Sequence, residues 1–132
     1  AIATLGSDVY AGGSFTTIGG GSRTYLARLD AVSGALLDNP ASTGSVYALA
    51  AGSNQIHAGG GFTTLGGIVR RYAGAVSSNR TLSPWNPNAD GHVYALLVAG
   101  NVVYMGGDFT SIGGVQRSRF AMVNANDSSL IW

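Results

Sequence analysis

The sequence predicts an all-β fold built from repeated four-stranded units, and three observations carry that prediction. Every acid is Asp and every base is Arg, with Glu, Lys and Cys absent, so strong helix formers are scarce. Gly supplies 21 of 132 residues, spread among Val, Ile, Thr and Tyr, which suits short strands joined by tight turns. The third observation is a gapless internal period of 47 residues: VYAGGSFTTIGGGSR from Val9 recurs as IHAGGGFTTLGGIVR from Ile56 and as VYMGGDFTSIGGVQR from Val103. A period of that size marks supersecondary units that stack to bury their faces.

Each unit resolves into elements in the same order, most clearly in the second. VYALAA from Val46 is an apolar strand, and Gly-Ser-Asn turns the chain into QIHAGG from Gln55. Phe62 follows, bracketed by Gly59-Gly60 and Gly66-Gly67, which can supply positive φ at a bulge or hairpin end. Its ring, with Phe15 and Phe109, is expected to be buried in equivalent positions. RYAGAVS from Arg71 is the third strand, and Thr81 to Trp85 the fourth. Four strands in a unit of this length make the blade of a β-propeller, since β-helix coils are shorter and helical repeats need the missing Glu and Lys. Blade 1 spans about residues 1–38, blade 2 about 46–85 and blade 3 about 93–132. The Ala-rich first strands (Ala48, Ala50, Ala51; Ala95, Ala99) fit a crowded centre where inner strands converge.

The rest of the composition bounds function. Hydrophobic residues make up 45% and charged residues 10%, which is a folding and not a disordered composition. A net charge of +1 is too small a field to hold a nucleic acid or to steer onto an anionic membrane. No apolar run approaches the roughly 18 residues of a spanning helix, and the N-terminus lacks a basic signal-peptide region. Without cysteine, no disulfide framework or thiolate metal site is available.

GGxFTxxGG, then Arg, then YLARLDAVSGALL from Tyr25, then WNPNADGHVYAL from Trp85 resembles the delta-60 repeat, an uncharacterised β-propeller family of bacterial and archaeal surface or secreted proteins. The resemblance covers essentially the whole chain. It implies a propeller fold and an extracellular setting, and brings no catalytic residues. Asp38 stands where Trp85 and Trp132 stand, and ASTG from Ala41 replaces NADG, which puts any linker-borne site of blade 1 in doubt.

Candidate sites follow the repeat. Asn86, Asn88 and Asp90 alternate like oxygen ligands of a calcium loop with Gly91 behind them. Only one is a carboxylate, and the position of the closing bidentate Glu is Leu97, so a Pro-Asn and Asp-Gly turn is the favoured reading. No cofactor is expected. Arg23, Arg70 and Arg117 recur at one place per blade; guanidinium forks there suit loop carbonyls or a neighbouring Asp better than a ligand anion. Trp85 and Trp132 offer sugar-stacking faces if they lie at the rim, against a packing role on the next blade. Asn79 and Asn126 each begin a glycosylation sequon in the same blade position. His57 and His92 are read as strand or loop surface positions, and Asp108, aligned with Ser14 and Gly61, as one blade's variation.

The expectation is therefore a non-catalytic structural or binding module of a secreted or cell-surface protein. A lectin using the Trp and Asn/Asp linker positions is its rival, and an enzyme with a site spread over several blades ranks third. Three blades leave apolar faces bare, and propellers close with about four to eight. The chain also begins and stops at inter-blade linkers. It is expected to be part of a larger propeller, or half of a six-bladed dimer.

Overall fold

The computed structural model describes Ala1 to Trp132, and its elements are all strands. Repeat 1 holds β1 (Ile2–Leu5), β2 (Asp8–Gly12), β3 (Thr17–Ile18), β4 (Gly21–Ser22), β5 (Leu26–Asp30) and β6 (Leu36–Leu37). Repeat 2 holds β7 (Val46–Ala51), β8 (Gln55–Gly60), β9 (Thr64–Leu65), β10 (Ile68–Val69) and β11 (Ala73–Ser77). Repeat 3 holds β12 (Val93–Ala99), β13 (Val102–Gly107), β14 (Ser111–Ile112), β15 (Val115–Gln116) and β16 (Phe120–Asn124). The antiparallel sheets run β1-β2-β5-β6, β7-β8-β11 and β12-β13-β16, each with a small hairpin (β3-β4, β9-β10, β14-β15) inserted before its third long strand.

Two features differ from the four-strand reading. Only repeat 1 has a laddered fourth strand; in the others it shrinks to single bridges, Val76 to Leu82 and Val123 to Leu130. In repeat 2, Pro84 has no N–H to continue the ladder. In repeat 3 the Ile131 and Trp132 amides both donate to the Met122 carbonyl, which interrupts the alternation a ladder needs. The inserted hairpins are the second difference. Their turns are the second Gly pair of each motif, with φ of 60° and 78° at Gly19-Gly20, 58° and 79° at Gly66-Gly67, and 57° and 82° at Gly113-Gly114. Two successive positive φ values make the tight hairpin turn that matches strand twist.

The first Gly pair works differently, through space and not through φ. A β-carbon on Gly12 would sit 2.6 Å from a Val46 methyl, and one on Gly59 2.6 Å from a Val93 methyl. The second strand of one repeat thus receives the first strand of the next, and the cores lie between repeats. One buried cluster joins Tyr10 and Leu26 to Val46, Ile56, Phe62 and Leu65; the other joins Ala73, Ala75 and Trp85 to Val93, Met105 and Phe109.

Phe62 and Phe109 are buried (0% and 1% exposed), whereas Phe15 is half-buried, so the expected equivalence fails for one ring in three. The cover is the linker ahead of each repeat. Gly44 runs so close that a β-carbon there would be 2.9 Å from Phe62 Cα, and Gly91 stands in the same relation to Phe109.

Candidate functional site

The linker before repeat 3 shows how its polar residues are used. Asp90 accepts the Thr110 amide at 2.6 Å and the Ser111 amide at 2.9 Å on Oδ1, and the Thr110 hydroxyl at 2.5 Å on Oδ2. These bonds hold its carboxyl well below the ordinary carboxylate range. Thr43, the same position one repeat earlier, accepts the Thr63 and Thr64 amides at 3.2 and 3.1 Å. Asp90 therefore pins the β14-β15 hairpin. Asn88 takes a φ of 57° and its carbonyl accepts the Gly113 amide, while the Asn86 side chain is exposed. No three Asp or His side chains gather around a common point.

Trp85 does not offer a stacking face. It is 0% exposed, packs edge-on against His57 with ring centroids 4.5 Å apart, and donates Nε1–H to the Asn124 carbonyl of repeat 3 at 2.9 Å. Trp132 is 57% exposed and lies 5.8 Å from Phe120. The same letter thus has two environments, Trp85 under repeat 3 and Trp132 open beside Phe120.

His57 is likewise not a surface residue. It is fully buried, neither ring nitrogen has a hydrogen-bond partner, and burial lowers its pKa to about 4. Beside it a cavity of about 10 Å³ is lined by Gly52, Asn54, Gln55, Asn101 and Ala125. The repeated arginines serve local carbonyls: Arg23 donates to Ser22 and Leu37, Arg70 to Val69 and Ser83, and Arg117 to Gln116. Arg23 also reaches Asp38 at 3.5 Å. Asn79 and Asn126 are exposed in the turns after β11 and β16, and Asn79 Oδ1 accepts the Thr81 hydroxyl at 2.7 Å.

A different constellation forms where β7 and β12 run side by side. Both strands carry a register shift beside their tyrosine, between Val46 and Ala48 and between Val93 and Ala95. A bulge re-aims the extra residue, so Val46 and Val93 stay buried while Tyr47 and Tyr94 are 41% and 48% exposed. Their rings lie 5.2 Å apart at 39°. His92 packs beside them, 6.1 Å from Tyr47, 5.4 Å from Tyr72 and 5.8 Å from Tyr94. Tyr94 donates its hydroxyl to Asp108 Oδ2 at 3.1 Å; desolvation first, and then this bond, raises its pKa. His92 Nδ1 is 3.2 Å from the same hydroxyl. With that proton given to Asp108, Nδ1 supplies the hydrogen, and in the neutral ring Nε2 is then an acceptor.

The chain's likeness to known proteins falls on repeat 1. Residues 8–36 match a β-propeller family model. It is described as a domain of unknown function (DUF5122), beta-propeller. The match runs from the start of β2 into β6 and contains the GGxFTxxGG motif that recurs one and two periods later. An all-β chain of repeated antiparallel sheets and a β-propeller repeat family thus agree. No curated protein and no solved structure matches the chain.

Proposed function

We propose that the chain is a non-catalytic structural and binding module, made of β-propeller blades of the delta-60 kind, from a secreted or cell-surface protein. One observation carries the structural part. Leu26 and Ala73 are 1% and 0% exposed because the next repeat covers them, whereas Phe120, at the same position of repeat 3, is 44% exposed. Phe120 stacks on Tyr104 (6.4 Å, 12°) and meets Trp132, forming an aromatic ridge beside Leu97 and Gly106. Gly106 has no valine seated on it, unlike Gly12 and Gly59. What fits that face is what fits the two before it, the inner strand of another blade with its Val-Tyr-Ala-Leu. The blade comes from the same chain or from a second copy in a head-to-tail ring.

The supporting chemistry is that Asp90 and the three repeated arginines are engaged in holding hairpins and linkers. The extracellular setting follows from the resemblance. Light scattering on the purified chain tests the reading. Association is expected, with Phe120→Asp shifting the chain to monomer; a monodisperse monomer of 13.4 kDa across the concentration range overturns it.

A further inference from the structure

We propose that the Tyr47–Tyr94 platform, with His92 and Asp108 at its rim, is a binding site for uncharged saccharide chains. This rests on the binding-module part of the reading above and locates that binding away from both tryptophans.

The two tyrosines are exposed large rings that the fold has turned outward by identical bulges. They come from adjacent repeats, so the platform exists only when the repeats are stacked. Exposure here is also not a missing-neighbour effect. Repeat 3 already lies against repeat 2, and Tyr47 remains 41% exposed. The position stays open in an assembled stack, unlike Phe120, whose equivalents are covered.

The floor is cleared by Gly61. A β-carbon there would lie 3.4 Å from His92 Nε2 and 3.6 Å from the Tyr47 hydroxyl, so both polar atoms converge over a residue without a side chain. One junction earlier the same place is closed by Ser14 and Ser45, whose hydroxyls bond each other at 2.8 Å. At the open junction, His92 Nε2 is an acceptor, the Tyr47 hydroxyl is both donor and acceptor, and Asp108 Oδ1 is a second acceptor.

Ring spacing selects the ligand class. A cation caged between aromatic faces needs each centroid within about 6 Å of the charge, with the charge between the rings. Here the rings touch one another, at 5.2 to 6.1 Å, and leave no room between them. The arrangement is a platform. A phosphate or other anion is opposed by the Asp108 carboxylate at the rim. A pyranose ring meets both demands, with an apolar C–H face to lie on the tyrosines and equatorial hydroxyls to donate to His92 Nε2 and Asp108.

Native electrophoresis of the whole chain through gels containing soluble β-glucan, glucomannan or dextran tests this, with light scattering run alongside. Retardation by at least one polysaccharide is expected. Tyr47→Ala should weaken it about tenfold, the equivalent of one aromatic stacking partner. Asp108→Asn, at an exposed side chain, should weaken it less. Neither Tyr47→Ala nor Asp108→Asn should alter the association state, which keeps the saccharide proposal separable from the blade proposal. Mobility unchanged by all three polysaccharides overturns the site. So does retardation that survives both Tyr47→Ala and Asp108→Asn.

Discussion

The two junctions between repeats fill one structural slot with opposite chemistry. Where repeat 1 meets repeat 2, the slot holds the Asp8 and Arg28 side chains, with the Asp38 carbonyl beside them and the Asp38 carboxylate in solvent. Arg28 donates Nη1–H to Asp8 Oδ1 at 3.2 Å and Nε–H to the Asp38 carbonyl at 2.6 Å, and Arg80 of repeat 2 approaches Asp8 Oδ2 at 3.5 Å. One period later the same three positions are Gln55, Ala75 and Trp85. There the indole and Ala75 belong to one buried cluster, and the crossing is made by Trp85 Nε1–H to the Asn124 carbonyl and Gln55 Nε2–H to the Ala125 carbonyl, at 2.9 and 2.8 Å. An ion pair and an aromatic ring thus substitute for each other as a set. The lesson is that small and large, charged and neutral, must change together across the slot, because either half alone leaves a void or a buried unpaired charge.

The largest effect should come from breaking the aromatic filling. Trp85→Ala removes a fully buried ring and an inter-repeat hydrogen bond, and is expected to cost about 4–5 kcal/mol in urea unfolding. A loss under about 2 kcal/mol would mean that the junction collapses onto the gap. Breaking the ionic filling comes next: Asp8→Ala strands Arg28 among buried neighbours and should cost about 3 kcal/mol.

The third test uses pH, since the aromatic junction also buries His57. Its pKa falls from 6.5 to about 4 on folding because the charged ring is desolvated. The unfolded chain therefore takes up the proton first. Stability is full above pH 6.5 and is lost as the pH falls towards 4, on the order of 3 kcal/mol in all. Asp30 and Asp127 are held below their usual 3.8 by turn hydrogen bonds, so their contributions are lost only at lower pH. Urea midpoints at pH 7, 5.5 and 4.5 should fall in step, and His57→Leu should flatten that slope; an unchanged slope in the variant would assign it elsewhere.

The smallest expected effect is the sharpest test of equivalence. Grafting the second filling into the first junction, with Asp8→Gln, Arg28→Ala and Asp38→Trp together, should leave stability within about 1 kcal/mol of the parent, as exchange of a buried ion pair for packed groups allows. The single change Arg28→Ala should do worse than the triple.

Much of this architecture is legible in the letters, because a gapless period fixes the unit and Gly-Gly at Gly66-Gly67 specifies a hairpin turn. Side-chain environment is not, because it depends on what packs from the next repeat. Trp85 and Trp132 are the same residue at the same position and are buried and exposed. His57 aligns with Tyr10 and Tyr104, which hid that it fills a sealed place between repeats. The tyrosine platform was missed for a related reason. Tyr47 and Tyr94 read as ordinary strand residues, since no single letter announces the bulge that turns them out, and Asp108 gained meaning only when its partner Tyr94 was in place. The signal available was the shared V-Y-A-L itself, with a polar-tipped aromatic held at one position of an otherwise apolar strand.

Tyr25, Tyr72 and Arg119 open the third strand of each repeat in the left-handed region, with φ of 69°, 66° and 68°. In each case the amide donates to the Phe15, Phe62 or Phe109 carbonyl, and the carbonyl accepts from Gly13, Gly60 or Gly107. Clamped at both ends, the conformation is set by its neighbours and tolerates residues as unlike as Tyr and Arg. For protein engineering the position is a reserve of stability. Asn or Gly adopts this region more readily, so exchanging the exposed Arg119 relieves about 1 kcal/mol of backbone strain without touching the core. At Tyr25 and Tyr72 the rings pack against the buried clusters, so the gain is open at Arg119 and at any further repeat whose residue there is exposed.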